Sequence, residues 1–96
     1  MKRIIYWDKQ ALHVFARTFD RIRKKSIRHA MQAEDDILSK INQLLAEPLL
    51  YPPDRYKRDN KGSYRAFELH RHRVSYFTDE TVIIILRIMH IRKRSR

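Results

Sequence analysis

Polar and apolar residues alternate over His72-Arg73-Val74-Ser75-Tyr76-Phe77, and a continuous apolar run, Val82 to Leu86, follows shortly after. Alternation marks a strand with one buried face, and a short solid run marks a strand covered on both. With Tyr64 and Ala66 upstream, the stretch from Gly62 to Arg92 is predicted to form three consecutive strands. Lys2 to Trp7, rich in β-branched and aromatic residues, predicts a further strand at the start. The period changes behind it. Leu12, Phe15, Phe19 and Ile22 recur at three- and four-residue steps, which predicts a helix from Lys9 to Arg23 with Asp8 as its N-cap. Ser26 can cap a second helix whose stripe is Ile27, Ala30, Ile37, Ile41, Leu44 and Leu45, reinforced by Met31 and Leu38. Pro48 ends it, because proline supplies no amide donor and disfavours a helical predecessor. A short connection between the stripes predicts an antiparallel helical hairpin.

From Glu47 to Lys61 the chain carries Pro48, Pro52 and Pro53 and then a polar run, which predicts a loop over the sheet edge. Gly62, the only glycine, is expected to take a positive φ leading into the second strand. Asp79-Glu80 reads as the turn of the last hairpin, and the basic residues after Met89 as a tail. The order β-α-α-β-β-β describes an α+β fold, a helical hairpin packed on a small antiparallel sheet, in a single domain over residues 1–96.

Charge sharpens this picture. With 22 Lys+Arg against 11 Asp+Glu the chain carries +11, which points to an anionic partner, nucleic acid or an acidic protein, more than to a merely solvated surface. An apolar share of 43% supports a packed interior and argues against global disorder. The absence of cysteine excludes disulfides and thiolate zinc sites and is compatible with a reducing cytosol. Val82 to Leu86 is too short to span a bilayer, and the basic start lacks the apolar core of a signal peptide, so a cytoplasmic protein is expected, with no membrane partner. No phosphate-cradling glycine loop and no serine or cysteine nucleophile constellation is present. His70 and His72, read as two apart on one strand, would share a face, but without a third ligand they make a poor metal site, so neither metal nor cofactor is expected. Trp7 reads as a structural plug and Glu34, Asp35 and Asp36 as a solvated helix surface. The sheet is left with Arg65, Arg73, Arg87, His90 and Arg92 on or just beyond its strands, an unusual cationic load for so small a surface.

Three segments in this order after a helical hairpin, Gly62-Ser63-Tyr64-Arg65, His72 to Tyr76, and Val82 to Arg92, resemble the RelE/ParE superfamily of bacterial type II toxins. The resemblance implies one half of a toxin–antitoxin pair. Some members enter the ribosome and cut mRNA. Others block DNA gyrase without cutting nucleic acid. Both kinds are neutralised by a small acidic antitoxin. Arg73 matches the arginine that neutralises the scissile phosphate in cleaving members. His90 falls where members similar to YoeB carry a catalytic histidine, and Arg92 where members similar to RelE carry an arginine. On that resemblance a ribosome-dependent mRNA endoribonuclease is the first reading, with His90 as general acid/base and Arg73 and Arg92 on the phosphate. Lys57, Lys61, Arg65 and Arg87 would then hold nucleic acid, although a cross-strand pair with Glu68 is the plainer role for Arg87. Cleaving members often keep an aromatic just after the last strand. Here Ile91 follows His90, and no Tyr or Phe occurs beyond Phe77. That departure keeps the second reading in play, a ParE-type gyrase inhibitor without nuclease activity.

Overall fold

The computed structural model describes residues 2–91. A short strand, β1 (Ile4–Trp7), runs into helix α1 (Lys9–Lys25), whose N-cap Asp8 accepts from the Gln10 amide at 3.1 Å. Ser26 alone separates α1 from α2 (Ile27–Gln43). Its amide bonds back to the Ile22 carbonyl at 2.9 Å, and its hydroxyl accepts from the His29 amide at 3.1 Å. One residue thus closes one helix and opens the next, and the two predicted helices appear with α1 two residues longer than the pattern suggests. After the proline loop come β2 (Tyr64–Leu69), β3 (His72–Thr78) and β4 (Val82–His90).

The strands lie in the order β1-β4-β3-β2. The β2–β3 and β3–β4 pairs are antiparallel, whereas β1 lies parallel to β4, Ile4 opposite Val82 through Trp7 opposite Ile85. The α+β class and element order are as expected, but the sheet is mixed rather than wholly antiparallel. The helical hairpin is the crossover that lets β1 join a strand running the same way. A bulge in the β3–β4 ladder lies between Ser75 and Tyr76, where the register passes from Arg87 to Ile85 and leaves Leu86 over.

Both helices cover one face of the sheet. Phe15, Phe19, Ile37, Ile41 and Leu44 pack against Phe67, Val74, Tyr76, Ile83 and Ile85. Tyr76 donates its hydroxyl to the Pro48 carbonyl at 3.0 Å, which ties the loop to the core, and burial pushes its pKa up to about 12. The buried helix faces are narrower than the apolar stripes. Ala11, Thr18 and Ala33 turn inward, while Leu12, Ile27, Met31, Leu38 and Leu45 are exposed. Small residues let the helices approach closely, and the larger apolar ones are displaced to the flanks.

Gly62 has φ 107°, as the entry to β2 required. Asp79 Oδ1 accepts from the Thr81 and Val82 amides at 2.8 and 2.9 Å, the Thr81 contact first among the causes that hold its pKa below the usual carboxylate value. The β2–β3 turn is less expected. His70 and Arg71 both take positive φ, 50° and 62°, the type I′ geometry that matches strand twist but usually draws Asn or Gly. His70 therefore lies in the turn and does not share a strand face with His72.

Candidate functional site

Strand parity sorts the cationic residues. On β3 the residues His72, Val74, Tyr76 and Thr78 are buried toward the helices, and Arg73, Ser75 and Phe77 face the other way. Arg65 pairs with Tyr76, so it lies on the helix side of the sheet. Arg73 lies on the open side. His90 pairs with His72, again on the helix side, roughly 13 Å along the strand from the Arg65 position at 3.3 Å per residue. Arg87 pairs with Ser75 on the open side and is exposed. Arg92 lies outside the described residues.

Arg65 and Arg73 are also occupied. Arg65 donates through Nε to the Gly62 carbonyl at 2.8 Å and through Nη1 to the Tyr51 carbonyl at 2.6 Å. It therefore clamps the proline loop to β2, where Pro53 forms a bridge with Arg65 itself. Arg73 donates through Nη2 to Asp54 Oδ1 at 2.8 Å and through Nη1 to Glu68 Oε2 at 2.9 Å, with its guanidinium 4.9 Å from the centre of the Tyr56 ring. The expected Arg87–Glu68 pair is not formed, because β3 lies between β2 and β4 and supplies Arg73 first. Burial raises the Asp54 pKa, but the Tyr56 amide and Arg73 outweigh it and the net shift is downward. A carboxylate held ionised against a mostly covered guanidinium is a structural pair.

Asp54 in turn belongs to a loop organised by Asn60. The Asn60 side-chain oxygen accepts from the Gly62 and Tyr64 amides, and its nitrogen donates to the Asp54 and Tyr64 carbonyls, the last at 2.7 Å. Lys57 lies with its Nζ 4.4 Å from the centre of the Tyr64 ring, on the open side, and Lys61 is exposed nearby. On the open side, among the described residues, Lys57 and Arg87 form no ion pair, and Arg73 is neutralised by Asp54 and Glu68.

Sequence reasoning missed Asp54 and weighed His72 only as half of a metal pair, without its burial. Asp54 gave no pattern of its own, since its partner is 19 positions away. His72, 4% exposed, could have been found from parity, because it shares its alternation with Val74 and Tyr76. At its end of the sheet, His90 stands 5.3 Å from His72 ring to ring, and His70 Nε2 meets Asp36 Oδ2 at 2.7 Å, a bond that leads the causes lowering the Asp36 pKa. Among the described residues no cluster of three or more His, Asp or Glu is placed to hold a metal ion, and no helix is long and apolar enough to cross a membrane.

Comparisons with known proteins agree on one family. The model of the ParE toxin of the type II toxin–antitoxin system parDE matches residues 5–94. A solved chromosomal ParDE toxin–antitoxin system from P. aeruginosa superposes with a TM-score of 0.71 over 94% of this chain and 97% of that one, at 17% identity, and so supports the fold. No curated protein sequence matches significantly. A family match over almost the whole length, on the β-α-α-β-β-β order described above, leads to one conclusion: the chain belongs to the ParE toxin family of type II toxin–antitoxin systems.

Proposed function

We propose that this protein is a toxin that inhibits DNA gyrase without cutting nucleic acid, and that a small acidic antitoxin neutralises it. The family match to ParE is the observation that carries the reading. The state of the arginines supports it. A nuclease of the kind first considered needs Arg73 to reach a scissile phosphate, and here Asp54 and Glu68 hold both arms of its guanidinium. Arg65 is engaged by backbone carbonyls on the other side of the sheet. Lys57, Lys61 and Arg87 remain as exposed cations for an acidic surface on the target or the antitoxin. The net charge of +11 favours rapid capture by such a partner.

Induction of the protein should produce chromosomal breaks and a DNA-damage response while bulk mRNA stays intact. Purified protein should inhibit gyrase supercoiling, and co-expression of the acidic product of the neighbouring reading frame should relieve the growth arrest. Unimpaired gyrase together with cleavage of translated mRNA would return the function to ribosome-dependent cleavage by Arg73, His90 and Arg92.

A further inference from the structure

Where the β2–β3 turn meets the joint between the helices, a cleft of about 330 Å³ opens. Arg21 and Lys25 from the last turns of α1 line it, with Arg71 from the turn. Four of the five histidines line it too: His29 from α2, His70 from the turn, His72 from β3 and His90 from β4. No carboxylate lines it among the described residues. The last turn of α1 and the first turn of α2 meet here with opposed dipoles, so the positive field comes from the side chains.

The deciding observation is His72. It is 96% buried (4% exposed), and its Nε2 has no hydrogen-bond partner among the described residues. Its Nδ1 lies 2.8 Å from the His70 carbonyl oxygen, which can only accept, so Nδ1 carries a proton. Burial, ahead of the neighbouring charges, holds the imidazole pKa below its usual value. In the neutral ring Nε2 is then an unprotonated acceptor, covered within the wall of a cationic cleft. A buried acceptor without a donor is costly and asks for an occupant.

We propose that this cleft binds a phosphate monoester, with Arg21, Lys25 and Arg71 holding its charge and His72 Nε2 sharing its proton. A monoester suits both halves of the site. It is an anion, and its second ionisation falls near pH 6, so at that pH about half of it carries a proton that a neutral imidazole can accept. An internal phosphodiester has the charge but no such proton. When the proton passes to Nε2, the ester becomes a dianion and the ring a cation, and both gain from the contact. His29 and His90 are placed to donate to remaining ligand oxygens. This site is separate from the exposed cations proposed for the toxin's target, so it stands or falls independently of gyrase inhibition.

Histidine ¹H–¹⁵N spectra of the intact protein at pH 6.5, titrated with adenosine 5′-monophosphate, test this. His72 Nε2 should move toward its protonated position, and sulfate, which matches phosphate in shape and charge but holds no proton at this pH, should bind on the order of tenfold more weakly. Arg21→Gln and Arg71→Asn, both at exposed positions that leave the core intact, should each weaken binding on the order of tenfold. Arg17→Gln, which removes the same charge from elsewhere on α1, should leave it unchanged. A short oligonucleotide should bind with a 5′-phosphate and lose that binding with a 5′-hydroxyl. The proposal is overturned if His72 does not respond to the nucleotide, if sulfate binds equally well, if Arg17→Gln weakens binding as much as Arg21→Gln, or if the 5′-hydroxyl oligonucleotide binds as tightly.

Discussion

The two surroundings of β3, the proline loop that reaches Arg65 and Arg73 and the β2–β3 turn, put the same kinds of side chain to different uses. Near the proline loop, Arg65 and Arg73 are consumed by the fold, one by two carbonyls and the other by two carboxylates. Near the β2–β3 turn, Arg21, Lys25 and Arg71 surround a cleft that no acid lines among the described residues. The loop supplies acceptors because it is a loop: Tyr51 and Gly62 present carbonyls that a ladder would otherwise have used, and Asp54 adds a carboxylate. At the turn end the His70 and Arg71 carbonyls are taken by His72 Nδ1 and the Ile91 amide, and among the described residues no carboxylate lines the cleft. A cation's type and strand position do not decide whether it binds a ligand. The acceptors that the neighbouring backbone leaves in reach decide it.

Removing acceptors from the loop end should break this contrast most severely. Asp54→Ala leaves Arg73 largely covered with only the exposed Glu68 as partner, and a loss of about 3 kcal/mol in urea unfolding is expected. A loss below about 0.5 kcal/mol would mean that Arg73 is free to act elsewhere, as on a phosphate. Acid should act next, at the turn end. The folded His72 pKa is depressed, so the unfolded chain binds the extra proton first. Stability is full above the unfolded value near 6.5 and declines as pH falls from there toward the lower folded value, by up to about 1.4 kcal/mol per pH unit in that window. Arg21, Lys25, His29, His70, Arg71 and His90 face this ring and would add to the repulsion, while Asp36 stays ionised below its ordinary range. Urea unfolding at pH 7.5 and 5.5 measures the slope, and a flat profile would mean that His72 is not held neutral. Tyr76→Phe, which strips the Pro48 carbonyl of its donor, should cost about 1 kcal/mol and loosen the loop end. Arg71→Asn should be the mildest, within about 0.5 kcal/mol of the parent or slightly above it, because asparagine tolerates the left-handed backbone better. A larger loss would show that the turn-end arginine is structural after all.

Much of the fold could be read from local chemistry. Asp8, Ser26, Gly62 and Asp79 each end or begin an element through a bond within four residues, and local patterns expose such bonds. The parallel β1–β4 pair was not legible, because nothing in Ile4–Trp7 states which strand it will join. Nor was the turn at His70-Arg71, which forms without Asn or Gly because the flanking strands and the 2.7 Å bond from the Ile91 amide to the Arg71 carbonyl hold it. The outer flanks of the helices were over-counted as core: Leu12 and Met31 keep the right period but lie one position off the contact line that Ala11, Ala30 and Ala33 define. For the site, the residue types stood out and their directions did not. Arg65 and Arg73 looked like neighbours with a common task, and the pleat sends them to opposite sides.

The parallel pairing of β1 with β4 has a consequence for the protein's synthesis. β4 is the inner strand that β1 and β3 both need, and Ile4 finds its partner only at Val82. A nascent chain therefore has helices and a β2–β3 hairpin long before it has a finished sheet, and the first strand to emerge waits for the last. A chain interrupted before Val82 lacks the middle of its own architecture.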